Sequence, residues 1–298
     1  MNFLSPIEIE NVTEFQFAPN NESLAYRTSA NEMYSVIEDR NSLISSTCIA
    51  FSWITNTAIL WGSGSGHLMV HDNTNEYNVD IAFEHKLFTR QWQKIVVHEE
   101  RLLAITANEI AVISRDDGYS VTRIISFSST VDDTITCAAI HPSGTAVALG
   151  SLRRKCVFIV DVAPGKRQDV KTQLSIGRSE SPCLNVIPMP MYPVSVAWSK
   201  YGVQLALAAR ESVTLWNVAS GDLDVIFSVK KISGISFISD SIIVLTSMDK
   251  IFMIDTDEGS ILYEEEHESS SKSQIFQNNK EIFFLNKNSI CRAQLINI

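Results

Sequence analysis

The chain is poor in the residues that would commit it to a small staple-dependent or metal-dependent fold. Its five cysteines, Cys48, Cys137, Cys156, Cys183 and Cys291, are never closer than 19 residues. No Cys-x-x-Cys pair and no Cys/His cluster is present, which argues against a structural zinc site. An odd number of scattered cysteines reads as reduced thiols in an intracellular protein, cytoplasmic or nuclear. Charge is also scarce: 19% of residues are Asp, Glu, Lys or Arg, and the net charge is −10. A chain of that sign lacks the clustered Lys and Arg that nucleic-acid binding requires.

Long hydrophobic runs are missing too. Residues 41–71 contain no Asp, Glu, Lys or Arg, yet NSLISSTC, SWITNT and GSGSGH break every apolar run within a few residues. A membrane-spanning helix needs about 20 predominantly apolar residues, so this stretch predicts paired buried strands and no transmembrane segment. The beginning, MNFLSPIEIE, has neither the basic nor the apolar region of a secretory signal. Extended 3.6-residue periodicity is absent as well, which leaves an all-β chain.

A repeat organises the strands. In seven places a strand ends on an apolar anchor, a polar turn follows, and a second apolar strand begins. The anchors are Phe17, Trp53, Val97, Ile140, Trp198, Phe237 and Phe276, at intervals of 36, 44, 43, 58, 39 and 39 residues. A third strand follows in each unit (MYSVIED, HLMVHD, IAVISRD, CVFIVDV, SVTLWNV, KIFMIDT, ICRAQLI). A fourth follows in the first six (SLISS, YNVDIAF, SVTRIISF, DVKTQLSI, LDVIFSV, ILYEEE). Four strands in about 40–45 residues is the period of a β-propeller blade. Seven units use residues 1–298 as one domain. The last unit lacks a fourth strand, and Ser5–Glu10 is unused, so this N-terminal segment is expected to complete the final blade and remove its open edge.

These turns and strand ends resemble the WD40 family. Asp116-Asp117-Gly118, His141-Pro142-Ser143-Gly144 and Leu215-Trp216-Asn217-Val218 are divergent forms of its motifs, and the resemblance extends over all seven units. The Gly-His and Trp-Asp dipeptides are missing, Trp216-Asn217 being the nearest. The family's His–Ser/Thr–Trp–Asp network is therefore not carried over. The resemblance implies a seven-bladed WD40-like β-propeller with four-stranded antiparallel blades. The order of the later units is also similar to propellers in scaffold subunits of Golgi Rab-exchange and anaphase-promoting complexes, without a motif specific to either.

Residues suited to catalysis do not converge. His67, His71, His85, His98, His141 and His267 fall in different places, and only His67 and His71 share a strand face. Gly62-Ser-Gly-Ser-Gly66 lacks the following helix and Lys of a phosphate loop. It also lacks the central Ser of a nucleophile elbow. Asp255-Thr-Asp-Glu-Gly259 begins like a calcium loop, but the later ligands do not follow, and it reads as a tight turn. Trp53, Trp61, Trp92, Trp198 and Trp216 lie on predicted strands and are read as packing between blades. Ser269–Ser271 beside Glu264–Glu268 is a candidate phosphorylation segment. The expectation is no enzyme, no metal and no cofactor.

The 58-residue interval stands out. After DVKTQLSI it holds a proline-spaced apolar stretch, GRSESPCLNVIPMPMYP at residues 177–193, read as a loop because proline opposes sheet pairing. Ser151-Leu-Arg-Arg-Lys155 is the densest basic cluster, and the resemblance to WD40 propellers, whose blade connections and second-to-third-strand hairpins share one face, implies that it lies on the same face. Arg153, Arg154, Lys155, Ile187, Met189, Met191 and Tyr192 are the candidate partner-binding residues, suited to an acidic peptide or the edge of another subunit. The function expected is a non-catalytic protein–protein interaction scaffold within a larger complex. The alternatives are a peptide or modification reader at the channel mouth and a propeller hydrolase. The first would need polar or aromatic groups converging from inner strands, the second acidic or His residues repeated at equivalent positions.

Overall fold

The computed structural model describes residues 2–7, 9, 11–19, 22–37, 40–72, 77–81, 92–98, 101–106, 109–116, 118–126, 134–163, 172–173, 183–266, 275–278, 281–286 and 289–294. Every regular element among them is a β-strand, and the strands form seven separate sheets. In one, β1 (Asn2–Ile7) is the outer strand beside β29 (Ser289–Gln294), β28 (Glu281–Asn286) and β27 (Ile275–Asn278). The next contains β2 (Val12–Phe17), β3 (Leu24–Thr28), β4 (Met33–Ile37) and β5 (Arg40–Ser45). A third contains β6 (Cys48–Trp53), β7 (Ala58–Ser63), β8 (Leu68–Asp72) and β9 (Tyr77–Asp80).

The fourth sheet runs β10 (Trp92–His98), β11 (Arg101–Thr106), β12 (Glu109–Ser114) and β13 (Ser120–Ser126), with β17 (Thr172–Gln173) as a fifth strand. The fifth contains β14 (Ile135–Ile140), β15 (Ala146–Ser151), β16 (Cys156–Asp161) and β18 (Cys183–Pro188). The sixth is β19 (Pro193–Trp198), β20 (Gln204–Ala209), β21 (Ser212–Asn217) and β22 (Leu223–Ser228). The seventh is β23 (Ile232–Phe237), β24 (Ile242–Ser247), β25 (Lys250–Asp255) and β26 (Ile261–Glu266).

The chain divides into two compact units, 1–15 with 26–29 and 189–298, and 16–25 with 30–188. The β19–β22 and β23–β26 sheets and the sheet of β27–β29 with β1 lie in the first. The sheets beginning with β6, β10 and β14 lie in the second, and residues of the β2–β5 sheet are divided between both.

Within each sheet the sequence pattern follows position. The second strands are apolar on both faces because both faces are covered. All six residues of Ala146–Ser151 are buried, as are five of six in Gln204–Ala209. The outer strands are largely exposed: of the six residues in Ile261–Glu266 four are exposed, two are half-buried and none is buried. Full burial of an Ile, Leu or Val stabilises by about 1.5–3 kcal/mol, so the inner three strands supply most of the cohesion. In the second unit Leu103, Ile105, Val147, Leu149, Phe158 and Val160 form one such core. In the first, Ala206, Leu215, Ile235, Leu245 and Phe252 form another, with Phe227 edge-on to Phe252 at 5.2 Å.

Two assignments differ from the sequence reading. DVKTQLSI was expected as the fourth strand of its blade. That position is occupied by Cys183–Pro188, which pairs antiparallel with β16 from Cys156↔Pro188 to Val160↔Cys183. Of the expected strand the described residues are Thr172 and Gln173, which pair parallel with Ile125 and Ser126 of β13. The segment expected as a loop therefore contributes an edge strand. Pro188 is tolerated because it sits at the strand's end on a sheet edge, where no partner needs its missing N–H. The N-terminal strand overlaps the expected Ser5–Glu10 but begins earlier: Asn2–Ile7 pairs antiparallel with β29. Pro6 falls where the register slips between Leu4 and Ile7, an irregularity that an edge strand accommodates.

Candidate interaction site

The basic cluster is placed by the β15–β16 hairpin. Ser151, fully buried, ends β15, and its Oγ accepts the backbone N–H of Arg154 at 3.0 Å. The N–H of Leu152 donates to the Thr134 carbonyl at 3.0 Å, tying the turn to the residue before β14. Lys155 takes a left-handed φ of 48° and returns the chain to buried Cys156. These restraints hold Leu152, Arg153, Arg154 and Lys155 exposed at the tip. The Arg154 guanidinium lies 5.5 Å from the centre of the Phe158 ring, a cation–π contact that leans it along β16.

The apolar candidates fare differently. Ile187 is opposite Val157 in the β16–β18 ladder and is 2% exposed; Met189 is 8% exposed. Both are buried by packing within this chain. Met191 and Tyr192 are half-buried and belong to the first compact unit. Because Cys156 pairs with both Ser151 and Pro188, the basic turn and the end of β18 stand at the same end of their sheet. Leu184 on β18, part of the same apolar stretch but outside the candidate set, is 62% exposed. Its strand assignment was the missing signal.

The motifs that resembled chemistry resolve into packing and turns. Gly62 faces the Trp92 indole, and the Trp92 Nε1–H donates to the carbonyls of Gly66 and His67 at 3.1 Å. Ser63 Oγ accepts the His67 N–H at 3.0 Å, so this glycine-rich stretch is a hairpin organised around a tryptophan. Asp255 Oδ1 accepts the N–H groups of Asp257 and Glu258 at 2.8 and 3.1 Å, and Gly259 closes the turn with φ +66°. His67 is exposed and His71 is buried on β8. Among the described residues no three His, Cys, Asp or Glu side chains form a metal-ligand set. No helix among them is long and apolar enough to cross a membrane. Ser269–Ser271 and His85 lie outside the described residues.

Seven sheets built on four antiparallel strands, one of them extended by the parallel strand β17, define the β-propeller class. No family model matches the sequence, and no curated protein does. Among solved structures the chain is similar to the β-propeller domain of Cps50 (Swd1) from Myceliophteria thermophila, with a TM-score of 0.70. The match covers 98% of this chain and 99% of that one at 10% sequence identity. At that identity the common property is the fold, that of a β-propeller.

Proposed function

We propose that residues 1–298 form one seven-bladed propeller, closed by the N-terminal strand, that acts as a non-catalytic docking subunit of a larger intracellular complex. Its proposed contact for an acidic partner segment is the turn of Arg153, Arg154 and Lys155. The observation that carries this reading is electrostatic. Three consecutive cations are held out on one restrained turn in a chain whose net charge is −10. A propeller fold supports such a role because rigid blades hold variable turns at the surface and need no cofactor; the step from fold to role is analogy.

The test is stoichiometric complex formation by the full chain with its copurifying partner. Arg153→Glu with Arg154→Glu should weaken the complex and flatten its salt dependence while the chain stays folded, losing no more than about 1 kcal/mol with the Arg154–Phe158 contact. A complex that survives the double reversal at unchanged strength sinks the assignment of this turn.

A further inference from the structure

Exposed large apolar side chains are unevenly distributed. Ten are exposed among the described residues, and seven of these fall between Tyr201 and Leu262. Val203, Val218, Leu223 and Val225 are 55%, 40%, 42% and 67% exposed, all around one end and the outer strand of the β19–β22 sheet. The Val218 N–H donates to the Val203 carbonyl at 3.1 Å, which sets the two turns of that end side by side.

The repeat provides an internal control. The β14–β15 turn uses the same two hydrogen bonds, Gly144 to the His141 carbonyl and Val162 to the Thr145 carbonyl. There the exposed positions are Ser143 and Thr145, and Val162 is fully buried. The matching positions here are Tyr201, Val203 and Val218, each exposed. The fold therefore does not require apolar groups at this surface.

Strand β22 also ends its sheet, with Leu223 and Val225 on one face and Asp224 on the other. Asp222, Asp224, Asp257 and Glu258 are exposed, and Gly259 carries the last two close to β22, where its Cβ would lie 3.1 Å from the Ile226 carbonyl. The equivalent outer strand β13 already accepts a fifth strand, Thr172–Gln173, from its own chain. An outer edge of this architecture is thus competent for strand addition.

We infer that the β22 edge docks an extended segment of another protein in which apolar residues alternate with Lys or Arg. The apolar side chains meet Leu223 and Val225, and the cations meet Asp222 and Asp224 as cross-strand pairs. A second copy of this chain is disfavoured, since it would bring like carboxylates together. The inference shares the premise of a docking platform but uses a surface other than the basic turn.

The experiment titrates the full chain with labelled ten-residue peptides of alternating Val and Lys, the same peptide with Glu for Lys, and one with alternate residues replaced by Pro. The Lys peptide should bind, the Glu peptide about tenfold more weakly, and the Pro peptide not at all, having lost its ladder donors. Val225→Asp and Asp224→Lys should each weaken binding of the Lys peptide by about tenfold at unchanged melting temperature. Arg153→Glu with Arg154→Glu should leave it intact, which separates this surface from the basic turn. Equal binding of the Lys and Glu peptides, no binding of the Lys peptide, or full binding by Val225→Asp overturns the inference. So does sedimentation showing a dimer that Val225→Asp dissociates.

Discussion

The indole of Trp92 lies so close to Gly62 that a Cβ on the glycine would stand 2.5 Å from Cδ1 and 2.6 Å from Cγ. Trp92 is 2% exposed and is tethered by its Nε1 hydrogen bonds to Gly66 and His67, so the ring has no room to retreat. Gly62→Ala is therefore predicted to destabilise by about 1–3 kcal/mol through overpacking. The measurement is the denaturant midpoint at constant slope. Repeating it in a Trp92→Leu background should recover part of the loss, because contacting sites are not additive. A Gly62→Ala cost that is the same in both backgrounds would place the strain elsewhere.

The strand-end residues Asn217 and Asp255 do the same job in successive sheets. Asn217 Oδ1 accepts the N–H groups of Ala219 and Ser220 at 3.0 and 3.2 Å, as Asp255 Oδ1 does for Asp257 and Glu258. Asn217→Ala and Asp255→Ala are each predicted to cost about 1 kcal/mol, the scale of a lost side-chain cap. Asn217→Asp keeps the acceptor and should stay within about 0.5 kcal/mol of the parent. Thermal melts of the three variants decide it, and a neutral Asp255→Ala would show that the turn holds without its cap.

The fold was legible mainly in its inner strands. The apolar anchors Trp53, Ile140, Trp198 and Phe237 each end an inner strand, as read from the sequence. Inner strands are covered on both faces, so their residues must be apolar and their turns must contain turn chemistry. Outer strands are paired on one side and wet on the other, and local sequence constrains them weakly. Nothing in DVKTQLSI marks it as less suited to an edge than CLNVIP, and the choice between them was made by pairing with β16. The basic turn was legible because three adjacent cations are rare in this chain. The exposed apolar end of the β19–β22 sheet was not, because exposure of Val203 or Val225 depends on which neighbours the fold leaves uncovered.

Removal of the first seven residues tests the other displaced strand. β1 pairs with β29 from Asn2↔Gln294 to Ile7↔Ile290, and Ile290 is fully buried. Deleting residues 1–7 strips these hydrogen bonds, each contributing roughly 1 kcal/mol, and leaves β29 as a bare edge. The shortened chain is predicted to melt several degrees lower and to aggregate on heating. Calorimetry with light scattering checks both; an unchanged melt would mean that β29 does not depend on its partner.

Cys137 gives the protein a pH dependence in the alkaline range. Its thiol is 7% exposed, and burial pushes its pKa up to about 11 from 9.0, against the lowering effects of the Thr136 hydroxyl, Lys94 and the Gly150 backbone. The folded state thus holds this proton more tightly than the unfolded state does. The associated stability is fully present below about pH 9 and is lost as pH rises toward about 11. The loss is on the order of 3 kcal/mol for a two-unit difference. Cys137→Ala removes a thiol's packing and lowers stability at every pH, but it should also remove this slope. Denaturant midpoints of parent and variant at pH 8 and pH 10.5 measure it; curves that stay parallel would show that Cys137 ionises in the folded chain as readily as in the unfolded one.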